Sequence, residues 1–264
     1  MPSQDAASYY RHCPGEEHSK ISDAICLARR RANYPRCPGC QFNDDPSPAA
    51  KASGQSQGGA VEMMSKVFKA YDVRALYPDP LNEDLAWRIG HAAAQYLRSI
   101  LTGYDRSDPQ TNRIVVGRDM RKSSPALSAA LIEGIRSTGT GVIDIGMIDT
   151  SQIYFAVNHV PCCGGIQTTA SHNPARYNGF KVCAKGGKPV GRDTGLMEIQ
   201  RIAEAIQKHD TRAEGLLRTE DLSEAYRAFV LEKLSPLARK VSIVAEASNG
   251  MAGQWVEKIV GGVA

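Results

Sequence analysis

Aromatic side chains are scarce in this chain: two Trp, five Phe and ten Tyr make up 6% of 264 residues. No run approaches the ~18 consecutive apolar residues that a membrane-spanning helix needs. The first 30 residues carry Arg11, Glu16, Glu17 and Lys20 with no continuous apolar core. They do not read as a secretory signal, and a cytoplasmic address is expected. No dense Lys/Arg patch interleaved with aromatics gives a footprint for nucleic acid. The net charge of +4 is mild and suits an anionic small molecule. No Gly-x-Ser-x-Gly elbow is present, which disfavours a serine hydrolase. Gly186-Gly187-Lys188-Pro189 and the Gly139/Gly141 pair lack the spacing of nucleotide-binding loops and read as turns. Seven cysteines, an odd number without an export signal, argue against a disulfide framework.

What is present divides into three parts. Residues 1–65 read as a disordered, cysteine-bearing extension and linker. Residues 46–60 are Pro-, Ser- and Gly-rich and too poor in bulky apolar side chains to bury a core. The alternative for this segment is a zinc knuckle using Cys13, Cys37, Cys40 and either Cys26 or His18. Cys37-Pro38-Gly39-Cys40 is a lone CxxC, without the second regularly spaced pair of a strong zinc signature. Residues 66–212 alternate short apolar strands with amphipathic helices. Asn82 caps a helix carrying Leu85, Ile89, Ala93, Leu97 and Ile100, and Ser124-Pro125 opens a second as N-cap and first helical residue. Strands are expected at Arg113–Gly117, Val142–Ile145, Gly164–Thr168 and Asn178–Ala184. The last two can pair antiparallel, so the expected fold is α/β, a mixed sheet covered by helices on both faces. Residues 213–264 read as an incomplete second α/β unit, with a helix over Asp221–Leu234 and a strand over Val241–Ala245.

Chemistry concentrates in Thr168-Thr169-Ala170-Ser171-His172-Asn173-Pro174, followed by Tyr177-Asn178-Gly179-Phe180-Lys181. A single serine there could be an ordinary loop residue. The composite instead closely resembles the phosphoserine loop of the α-D-phosphohexomutases, the phosphoglucomutase and phosphomannomutase family. The resemblance implies that Ser171 carries the phosphoryl group, His172 positions phosphate and substrate, and Lys181 balances charge and assists proton transfer. Asn173 and Asn178 shape the loop through local hydrogen bonds. Phe68-Lys69-Ala70-Tyr71-Asp72-Val73-Arg74 resembles the family's first strand and active-site loop, with Arg74 toward the phosphoserine and Tyr71 toward the sugar. Ala75 stands where the family usually has glycine; alanine at positive φ would cost about 1 kcal/mol. Val116–Pro125 matches a further loop, in which Arg118 and Asp119 are expected to form a supporting ion pair.

The implied activity is interconversion of hexose 1-phosphate and 6-phosphate through a hexose 1,6-bisphosphate, which also serves as primer. Mg²⁺ is implied too, bound partly through the phosphate on Ser171. The family's Asp-Gly-Asp-x-Asp-Arg metal loop is not in this sequence. The resemblance runs from about Val67 to the C-terminus, and Val244–Gly253 resembles a second-domain turn with Glu246 in place of Asp. The chain therefore reads as a truncated, poorly active mutase. Leu222, Phe229, Val230 and Trp255 are expected to be left exposed for want of a sheet. The rival reading is a non-catalytic binding or assembly module derived from this family, with the zinc knuckle as a candidate addition.

Overall fold

The computed structural model describes residues 10–12, 20–22, 57–206, 215–234, 242, 244–248 and 250–261. The chain divides into two compact units, Met1–Ser56 and Gln57–Ala264. In the first, β1 (Tyr10–His12) pairs antiparallel with β2 (Lys20–Ser22), Tyr10 opposite Ser22. Cys13, Cys26, Cys37 and Cys40, and the zinc knuckle proposed on them, lie outside the described residues.

The second unit opens with α1 (Gln57–Val67), which starts inside the stretch expected to be linker. Met64 and Val67 are fully buried, so these apolar residues fix the helix to the core although its first residues are small and polar. There follow β3 (Val73–Leu76), α2 (Glu83–Ser99), β4 (Arg113–Arg118), α3 (Ser124–Arg136), β5 (Gly141–Met147), α4 (Thr150–His159) and β6 (Gly164–Thr168). The remainder comprises β7 (Tyr177–Ala184), β8 (Lys188–Pro189), α5 (Leu196–Ala205), β9 (Leu217–Thr219), α6 (Ser223–Glu232) and α7 (Ala252–Val260). Sheet order is β3-β7-β6-β4-β5-β9, with β8 paired to β7. The strands β6, β4, β5 and β9 run parallel, while β7 is antiparallel to both β6 and β3. The mixed sheet expected from sequence is formed.

Side chains alternate across each strand, so the central strands β4, β5 and β7 each feed two cores. Ile114 and Val116 face one side with α1, α2, α3 and α5. Val115, Ile143 and Ile145 face the other with α4, Tyr226 of α6 and Trp255 of α7. Asn82 caps α2 as expected, its Oδ1 accepting from the Leu85 amide at 3.0 Å. Helices α2 and α3 cross at two glycines. A Cβ on Gly90 would sit 2.1 Å from the Leu131 carbonyl oxygen, and one on Gly134 would sit 1.9 Å from that of Trp87. The helices could not approach so closely with any larger residue there.

The segment after residue 214 differs from expectation. Leu217–Thr219 adds a strand to the first sheet, parallel to β5, instead of opening a new one. Among the described residues of 241–245 no strand forms, and Val244 is 97% exposed. Trp255, expected to be bare, is 4% exposed and packs edge-on to Tyr226 at 6.1 Å. Tyr226 in turn meets Phe155 of α4 at 5.3 Å and shares a 2.7 Å hydrogen bond with Ser151. The apolar face of β4 and β5 supplies the cover that these helices lacked in sequence. Phe229 does remain exposed, and Leu222 and Val230 are half-buried.

Cys162, Cys163 and Cys183 are buried free thiols. Burial pushes Cys163 up to about 11 and Cys183 up to about 12, which keeps both protonated and unreactive.

Candidate active site

The Ser171 loop joins β6 to β7 at the end of the sheet where β4 and β6 both terminate. Arg118 lies opposite Thr168, and Thr168 opposite Phe180. The Thr169 amide donates to the Gly179 carbonyl at 2.9 Å and closes the base of the loop. Ser171 is exposed, with φ 53°. That left-handed conformation costs a residue with a Cβ about 1 kcal/mol, so something must hold it.

Two sets of contacts do so. Within the loop, the Ser171 amide donates to Thr169 Oγ1 at 2.9 Å, and both the amide and Nδ2 of Asn173 donate to the Ala170 carbonyl. Beneath the loop lies a pair of buried charges, Asp119 and Arg121, 5% and 8% exposed. Asp119 accepts from Arg121 Nε (3.1 Å), Ser124 Oγ (2.5 Å) and Thr169 Oγ1 (2.8 Å). Arg121 then donates to four loop carbonyls: Ser171 (2.8 Å), Asn173 (2.6 Å), Pro174 (2.7 Å) and Tyr177 (3.1 Å). Asp119 thus supports the loop, but its ion-pair partner is Arg121 and not Arg118. Asp119 Oδ1 also accepts from the Arg121 amide at 3.1 Å, a local turn that folds Arg121 back onto the carboxylate. Among the described residues Arg118 has no ion-pair partner.

Ser124 is not the N-cap expected of it. Ser123 occupies that position, and the Ser124 hydroxyl turns to Asp119. Asn178, fully buried, donates to Ser123 Oγ at 2.8 Å and Ser124 Oγ at 3.0 Å, fastening β7 to the start of α3. Asn173 thus ties the loop to itself, whereas Asn178 ties the strand after the loop to α3.

Arg74 lies opposite Gly179, two residues before Lys181. Val73, Ala75, Phe180 and Val182 face the first core, so Arg74 and Lys181 stand together on the other side of the sheet. A Cβ on Gly179 would fall 1.8 Å from the Val73 carbonyl oxygen, so only glycine lets β3 carry Arg74 this close. Arg74 pairs with Asp72, and its Nε is buried with no partner. Ala75 is an ordinary strand residue, 6% exposed and absent from the positive-φ positions, so the strain expected there does not arise. Tyr71 is 85% exposed beside Gly191. His172 is exposed, Lys181 is half-buried, and neither side chain has a hydrogen-bond partner among the described residues. An exposed hydroxyl on a loop braced from beneath can accept and hold a phosphoryl group.

A sequence model described as phosphoglucomutase/phosphomannomutase, alpha/beta/alpha domain I, matches residues 65–211. The chain belongs to the phosphoglucomutase/phosphomannomutase family. It is 42% identical over 199 residues to a phosphomannomutase of Salmonella typhimurium, covering 73% of this chain and 40% of that protein. It is 38% identical over 200 residues to a protein of Xanthomonas campestris named phosphohexose mutases, covering 74% and 41%. The crystal structure of a phosphoglucomutase/phosphomannomutase family protein from Burkholderia thailandensis superposes with a TM-score of 0.62 at 32% identity. That match covers 73% of this chain and 41% of the other. The chain thus spans about two fifths of the length of these family members.

Arg121 and Thr169 were not singled out from sequence. The signal for Arg121 was its i+2 spacing from Asp119, at which an aspartate carboxylate can accept from the amide two residues on, as it does here at 3.1 Å.

Proposed function

We propose that this chain carries the phosphoryl-bearing serine of a phosphohexomutase, with Ser171 as the phosphoryl carrier. The observation that supports the reading is Ser171 itself: exposed, left-handed in backbone, and braced from beneath by buried Asp119 and Arg121. Phosphoserine carries close to two negative charges, and Arg74, Lys181 and His172 are the groups assigned to balance it. In the forward step the P–O bond to Ser171 breaks as a new P–O bond forms to the free sugar hydroxyl. The hydroxyl proton leaves, the serine oxygen gains one, and Lys181 is assigned to that transfer. The resulting hexose 1,6-bisphosphate turns over and returns its other phosphoryl group to Ser171. Arg74 holds the transferred oxygens and Tyr71 faces the sugar. The relatives named phosphomannomutase make mannose phosphate the first sugar to try.

Magnesium is implied by the family, yet the described residues do not fit a site for it. Among them no three His, Cys, Asp or Glu side chains cluster. The steps above therefore use only this chain's own groups. Incubation with labelled hexose 1,6-bisphosphate, followed by peptide mass spectrometry, tests the reading. Label should appear on Ser171 and vanish in Ser171→Ala; label elsewhere, or undiminished label in the variant, would overturn it.

A further inference from the structure

Two ion pairs of the same short spacing stand apart from the rest. Both are Asp-x-Arg in sequence, Asp72-Val73-Arg74 and Asp119-Met120-Arg121. In the first the carboxylate and guanidinium side chains are 14% and 17% exposed, in the second 7% and 6%. Every other ion pair among the described residues leaves at least one partner widely exposed. Pairs of that kind contribute little, whereas a buried guanidinium depends on its carboxylate. The two buried pairs differ in what the arginine does next. Arg121 is closed: four loop carbonyls take the donors that Asp119 does not. Arg74 is open. Its one hydrogen bond runs from Nη2 to Asp72, and its Nε is buried with no acceptor.

A guanidinium carries five donors in a rigid fork, and leaving them unmet in a half-dry site is costly. The carboxylate that holds this one is itself fixed. The Asp72 carbonyl accepts from the Lys69 amide at 2.8 Å, and the bridge between Phe68 and Val73 closes the same turn. Gly179 sets the backbone of Arg74 against β7, but among the described residues only Asp72 holds its tip. We propose that Asp72 is the positioning residue for Arg74, fixing the guanidinium so that its remaining donors stay open for the transferred phosphoryl oxygens. Asp72 acts through Arg74 and touches no substrate. An arginine side chain has about 2 kcal/mol of rotamer entropy to lose, and a tether at one end removes part of that loss before the substrate arrives. The inference rests on the reading of Arg74 as the group that holds the transferred oxygens. The same two-residue device thus serves twice, once to brace a backbone and once to hold a cation open.

The test uses Asp72→Ala and Asp72→Asn in the 264-residue chain, with two readouts. The first is the ¹⁵Nε heteronuclear NOE of Arg74, which reports side-chain order with no substrate present. It should be that of an ordered group in the parent and of a mobile one in Asp72→Ala. Asp72→Asn should fall between, because its amide oxygen still accepts but carries no charge. That variant keeps the shape of the side chain, so the comparison does not depend on Asp72→Ala folding. The second readout is the rate at which mannose 1,6-bisphosphate labels Ser171 over a range of concentrations. In Asp72→Ala the maximal rate should fall about tenfold or more, with the half-saturating concentration little changed. A merely structural pair would lower the unfolding midpoint and leave both readouts of the folded protein unaltered. An Arg74 as ordered in the folded variants as in the parent would overturn the proposal, and so would an undiminished maximal rate. If Ser171 takes no label in the parent, the mutase reading falls, and the order of Arg74 alone decides whether Asp72 positions it.

Discussion

Two serines in the described structure share a left-handed backbone: Ser171 at φ 53° and Ser248 at φ 45°. Both lie on exposed turns, and in both the serine amide is bonded to a side chain two residues earlier. They differ in what lies underneath. Ser248 is held by one exposed carboxylate, Glu246, which accepts from its amide at 2.6 Å and its hydroxyl at 2.8 Å. Ser171 is held through Thr169 by buried Asp119, and its carbonyl by buried Arg121. An unusual φ alone therefore does not mark a site. A strained residue supported by buried charge is the arrangement that keeps its geometry when a ligand pulls on it.

The largest separation between the two serines should come from removing the carboxylate that supports each. Asp119→Ala leaves Arg121 buried without its counter-charge and should cost about 3–5 kcal/mol. Glu246→Ala, wholly at the surface, should leave the urea unfolding midpoint in place. Equal midpoints for the two variants would remove the distinction drawn here. A smaller effect is expected from valine, whose branched Cβ is least tolerant of positive φ. Ser171→Val should cost about 1–2 kcal/mol because Arg121 holds the loop in place, and Ser248→Val less than half of that because its turn can relax. A cost at position 248 matching that at 171 would show the exposed turn to be as rigid as the loop.

The smallest effect is one of pH. The Ser248 hydroxyl, and after it the Ser248 amide, hold the Glu246 carboxyl below the usual glutamate range. A carboxyl depressed on folding stabilises above its unfolded pKa, and that contribution is lost as pH falls through the folded value. Titration of the Glu246 side chain by NMR should thus show a lowered midpoint that moves part-way up in Ser248→Ala, with the backbone bond retained. A midpoint unaltered by the substitution would mean that the hydroxyl contact is not populated.

Part of the fold was legible because β4 is apolar on both faces: Ile114, Val115 and Val116 form a short run too brief for a helix. The strand Leu217–Thr219 was not legible: three residues, all exposed, have no pattern and are fixed only by their partner β5. The reverse error occurred at residues 241–245, where an apolar run reads as a strand but the described residues form none. At the site, Ser171 was legible only through the resemblance of its loop to the phosphohexomutase signature. Arg121 was not legible, because a charged residue reads as surface until the four carbonyls that bury it are brought over it by β6 and β7. The pairing of Asp119 with Arg118 failed for a simpler reason: the chain turns after β4, and the Asp119 carboxylate accepts from both the amide and Nε of Arg121.

The added strand also bears on where this protein can be cut. The family match ends at residue 211, short of Leu217. A fragment ended there would lose β9 and present the backbone of Gly141–Met147 as an open sheet edge. It would also uncover the face of Val115, Ile143 and Ile145 on which Tyr226 and Trp255 sit. An unpaired strand beside a bare apolar face is a template for self-association. The end of the family model at residue 211 is therefore not the end of the sheet, nor of the apolar core on its second face.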